Sequence, residues 1–100
     1  MTSIEKQTAQ IVLDLLSGTE GATSEERRQA FLTSGKQLQE AGALPVVLDD
    51  DGTALVDPTK FLIGITLVDL YLVQRLTGFT GLSREEVMFD ARQFVDSLDI

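Results

Sequence analysis

At 100 residues the chain has the length of one domain, because two independent cores would each be too small to be stable alone. Apolar residues make up 43% of it, which excludes disorder and fibrous repeats, and the absence of cysteine and histidine removes disulfides, thiolate zinc sites and the commonest general base. A formal charge of −8 opposes binding to phosphate backbones and anionic lipid, so neither nucleic acid nor a membrane is expected as a partner.

The first ten residues are polar and lack the basic flank and apolar run of a signal peptide, which predicts a cytoplasmic chain. Apolar residues at Ile4, Ile11, Val12, Leu15 and Leu16 keep helical spacing, and Gly18 is placed to stop a first helix over 4–17. Thr23 followed by Glu26 is a capping box that opens a second helix running to about Glu40, with Phe31 and Leu38 inward and Gly42 beyond its end. Ser34 and Gly35 are small enough there for a close neighbour.

Pro45 ends that helix, and the runs Val46, Val47, Leu48 and Ala54, Leu55, Val56 flank an acidic turn, which predicts a β-hairpin with positive φ at Gly52. Asp57 and Pro58 then mark the start of a third helix, because proline at the first helical position forfeits no hydrogen bond. This helix covers 61–76, with Gly78 placed to close it. Its most apolar stretch, 61–73, is interrupted by Asp69 and is shorter than the roughly 20 residues of a membrane span, so it is expected to be a buried central helix. Ser83 and Glu86 form a second capping box, and Val87, Ala91, Phe94, Val95 and Leu98 line one face of a fourth helix. The fold class is therefore mainly α: one domain over residues 1–100, a compact four-helix arrangement with a small hairpin between helices two and three, in the order α-α-β-β-α-α.

Chemistry-bearing constellations are few. Asp49, Asp50, Asp51 and Gly52 suggest a calcium loop, but with Gly52 at the EF-hand glycine the first ligand position falls on Val47 and the closing acid on Pro58. No metal is assigned. Asp69 stands among Leu67, Val68, Leu70 and Tyr71 and is expected to be a buried carboxylate paired with a group outside its own helix. The closing run Asp96, Ser97, Leu98 resembles the phosphopantetheine attachment motif of acyl carrier proteins, which are likewise small, acidic and helical. In that family the serine opens a helix, whereas Ser97 follows one, so no cofactor is carried over. Arg27, Arg28, Gln29, Thr33, Lys36, Gln37 and Gln39 on helix two could read bases with the hairpin as a wing, but Glu25, Glu26 and Glu40 cancel the charge of the three basic residues.

These observations point to an acidic protein interaction module without catalytic activity, self-associating as a homodimer or binding another protein. The expected contact lies on helix three at Phe61, Ile65, Val68, Tyr71 and Leu72, whose surroundings are apolar in too many directions for one narrow stripe. The alternatives are a winged-helix-like DNA-binding regulator, an acidic inhibitor that mimics nucleic acid, and an enzyme or metal-dependent activity built on Asp49 to Asp51, Asp57 or Asp69.

Overall fold

The computed structural model describes residues 3–99. Among these the order is α1 (Ile4–Thr19), α2 (Ser24–Glu40), β1 (Val46–Leu48), β2 (Ala54–Val56), α3 (Thr59–Thr80) and α4 (Arg84–Ser97). The four-helix arrangement with a hairpin between the second and third helices is thus the observed one. By its internal packing the chain divides into two units, Met1–Val68 and Asp69–Ile100, with the division falling inside α3.

Each helix start follows from local chemistry. The Thr23 hydroxyl accepts from the Glu26 N–H at 3.2 Å while the Thr23 N–H donates to Glu26 Oε1 at 3.0 Å, and Ser83 and Glu86 repeat the exchange at 3.2 Å and 3.2 Å. Asp57 Oδ1 accepts from the Thr59 hydroxyl at 2.7 Å and the Thr59 N–H at 3.0 Å. The Thr23 backbone N–H, with its hydroxyl second, holds the Glu26 carboxyl below its usual range, and the Thr59 hydroxyl, then its N–H, does the same for Asp57. A lowered folded-state pKa contributes stability above the ordinary carboxylate pKa that is lost as pH falls through the lowered value, so acid should loosen the starts of α2 and α3 first. Thr23→Ala and Ser83→Ala should each cost about 1 kcal/mol, read as a loss of roughly 4–8 °C in Tm.

The helix ends depart from expectation in a consistent way. Gly18 and Gly78 lie inside α1 and α3, and the glycines three residues later take the left-handed conformation, Gly21 at φ 70° and Gly81 at φ 72°. A helix interior tolerates one glycine at about 1 kcal/mol, and a threonine hydroxyl adds a bond to the preceding turn near each end: Thr19 to Leu15 O at 3.0 Å and Thr80 to Leu76 O at 2.7 Å. α2 closes as expected at Gly42, where Ala43 N–H donates to Leu38 O and Gly42 N–H to Gln39 O, both at 3.0 Å, with Leu38 and Ala43 buried beneath the turn.

Within the first unit, α1 packs on α2, and α3 meets α1 at Gly64. A Cβ at Gly64 would stand 2.6 Å from Thr8 Cβ and Cγ2 and 2.9 Å from the Glu5 carbonyl oxygen, so only glycine permits this approach. Thr8 is fully buried and donates its hydroxyl to Ile4 O at 2.9 Å. Of the two small residues expected beside a close neighbour, Ser34 is buried, whereas nothing lies within 4 Å of a Cβ at Gly35; the tightest approach is at Gly64.

The hairpin pairs Val46 with Val56, Val47 with Leu55 and Leu48 with Ala54. Its turn is built by Asp49, whose Oδ1 accepts from the Asp51 N–H at 2.9 Å and the Thr53 N–H at 2.8 Å, while Gly52 at φ 80° donates to Asp49 O at 3.0 Å.

Candidate functional site

The expectation that helix three is a covered core is corrected. Of its 22 residues only Gly64 and Val68 are buried. At about 1.5 Å per residue this helix is about 33 Å long, and its close approach to α1 is at Gly64. Phe61, Gly64, Ile65 and Val68 share one face at i, i+3, i+4 and i+7 spacing, and this face turns into the first unit: Val68 is 5% exposed, and Phe61 and Ile65 are half-buried. Val68 therefore belongs to an interior rather than to a free surface. Tyr71 and Leu72, the other two residues expected at a contact, are exposed, at 59% and 41%.

Asp69 is exposed, which corrects the expectation that it is buried. Its neighbour Val68 is buried, but Leu67 and Tyr71 are exposed and Leu70 is half-buried, so Asp69 stays on the solvent side of the helix. Among the described residues no ion pair involves it, the single ion pair being the exposed Arg28–Glu25 contact at 3.7 Å.

The free apolar surface is larger than the sequence suggested. Among the described residues four apolar side chains are buried, Leu38, Ala43, Val68 and Val87, while twenty large ones are exposed. In the first unit these include Leu62, Ile63 and Leu67 of α3 and Val46, Val47, Leu48, Leu55 and Val56 of the hairpin, on both faces. Two adjacent apolar triplets of three residues each were the signal for this, since a one-sided hairpin would alternate apolar with polar. In the second unit Leu72, Leu76 and Phe79 of α3 are exposed, with the Arg75 guanidinium 4.8 Å above the Phe79 ring. Leu76, Leu82, Val87, Ala91 and Phe94 line an open apolar groove of about 400 Å³ in that unit. α3 is also long and apolar enough to cross a membrane by length and composition.

The polar groups carry little reactive chemistry. On α2 the Arg27 and Gln29 side chains donate to Ser24 and Glu25 of the same helix, and Arg28 pairs with Glu25, which holds these side chains against their own helix. Ser97 closes α4 and donates to Phe94 O at 2.6 Å. No group of three or more potential metal ligands converges among the described residues, and both bonds accepted by Asp49 Oδ1 come from the turn's own backbone. Millimolar calcium or magnesium should therefore raise Tm by no more than an equal ionic strength of sodium chloride; a saturable rise abolished by Asp49→Asn would contradict this.

Comparison with protein-family models, with curated proteins and with solved structures finds no match.

Proposed function

We propose that the chain is a protein interaction module without catalytic activity, and that it self-associates through the exposed apolar surface of α3. The observation that carries this reading is that a 22-residue helix rich in leucine, isoleucine and valine buries only Gly64 and Val68. Fully burying a leucine or phenylalanine side chain is worth about 1.5–3 kcal/mol, so covering even a few of the exposed α3 residues supplies a driving force for association. Net charges of −8 on both copies oppose it, but repulsion between exposed charges is screened by salt, whereas apolar burial is not. Association should therefore tighten as ionic strength rises.

A second reading is favoured by the length and hydropathy of the same helix, which would let it span a bilayer. Asp69 lies near the middle of Thr59–Thr80, where a carboxylate costs about 2.5–3.5 kcal/mol in a membrane, and this weighs against it. The readings separate in one experiment. A self-associating module gives twice the chain mass by light scattering at micromolar protein and stays below neutral lipid vesicles in a flotation gradient, whereas a membrane helix rises with the vesicles. The DNA-binding reading has less support, because Arg27 and Arg28 of α2 engage neighbours on that helix, and so has the nucleic-acid mimic, because the acids are spread along the chain.

A further inference from the structure

Asp69 and Arg75 lie three residues on either side of Leu72, on a helix surface whose other exposed members are mainly apolar. At 100° per residue the two charges flank Leu72 at about 60° on each side and about 4.5 Å above and below it along the axis. A helix packed along the Leu72 face runs beside Asp69 and draws it from water, and a desolvated carboxylate without a partner costs several kcal/mol. Within the chain the described residues offer Asp69 no ion pair. Resting on the self-association reading, we propose that the occupant of this surface is a second copy of the chain, its α3 antiparallel and centred on Leu72, so that each Asp69 is paired with Arg75 of the other copy.

Charge selects this register. A parallel copy sets Asp69 beside Asp69 and Arg75 beside Arg75, which is repulsive at both levels. An antiparallel copy centred on Leu72 sets the two opposite charges at one level along the axis, twice over by symmetry, as a two-fold contact requires. Arginine suits the role because its guanidinium is weakly hydrated and stacks on aromatic faces, and Arg75 already lies over Phe79. The pairing leaves the −8 charge of each copy in place but removes the carboxylate most exposed to desolvation at the contact.

The chain has no cysteine, so single cysteines report the register directly. Leu72→Cys should oxidise to a covalent dimer, because the two thiols meet at the axis. Phe79→Cys should not, because fourteen residues of offset place its two copies about 21 Å apart along an antiparallel pair. Asp69→Arg or Arg75→Asp alone should weaken association at least about tenfold, and the double variant, with unchanged net charge, should restore it. Circular dichroism checks that each variant keeps its helix content. Efficient cross-linking of Phe79→Cys, or failure of the double variant to recover, overturns the antiparallel register while a dimeric wild type leaves self-association standing. A monomeric wild type overturns both.

Discussion

Gly64→Ala should destabilise the protein by about 1–2 kcal/mol, lowering Tm by roughly 4–16 °C, although alanine is the better helix former. The helix gain is at most about 1 kcal/mol, and overpacking a tight contact costs about 1–3 kcal/mol. The added methyl would stand 2.6 Å from two carbons of Thr8 and 2.9 Å from the Glu5 carbonyl oxygen. None of these atoms yields easily: the oxygen is backbone, and Thr8 is a fully buried β-branched residue whose hydroxyl is bonded to Ile4 O. Gly18→Ala, Gly35→Ala and Gly78→Ala are the controls, since nothing lies within 4 Å of an added Cβ at any of them; Gly35 lies in the interior of α2, and Gly18 and Gly78 in the last turns of α1 and α3. Gly35→Ala should raise stability by about 0.5–1 kcal/mol, and Gly18→Ala and Gly78→Ala by smaller amounts. Thermal melts of the four variants should give one negative and three positive shifts; a positive shift for Gly64→Ala would show that the α1–α3 approach is looser than described.

Leu72→Glu should abolish self-association while leaving the helical circular dichroism largely unchanged. Leu72 is already 41% exposed, so the new carboxylate is solvated in the free chain and its effect on folding is small. In a contact centred on Leu72 two glutamates would face each other across the axis, beside the two Asp69 carboxylates, with only two Arg75 groups to balance four negative charges. The burial of two leucines is lost as well, worth about 1.5–3 kcal/mol each. Together these should weaken association by more than about a hundredfold, enough to leave the variant monomeric at micromolar concentration. Leu62→Glu, at a residue that is also exposed, in the first unit, should have a smaller effect because it lies ten residues from the proposed axis.

The parts of the fold that were legible in the sequence are those governed by neighbours a few residues away. Thr23 with Glu26, and Ser83 with Glu86, announce their helix starts because the capping bonds close over three residues, and Gly52 after three aspartates announces the hairpin turn. Helix ends were less legible. Gly18 and Gly21, like Gly78 and Gly81, offer two candidate stops three residues apart, and propensity alone does not say which will take positive φ. Tertiary placement was the least legible. The apolar content of α3 predicts a covered helix, but not that α1 approaches it at Gly64, nor that Asp69 stays in water. Gly64 itself carries no local signal, because a close approach is defined by the residue on the other helix, Thr8.

The most direct test of self-association through α3 is sedimentation equilibrium of the wild-type chain over a dilution series from tens of micromolar to tens of nanomolar, at low and at moderate salt. The account predicts twice the 10.9 kDa chain mass at the upper end, dissociation on dilution, and tighter association at the higher salt. A mass of one chain throughout, at both salt concentrations, would contradict it.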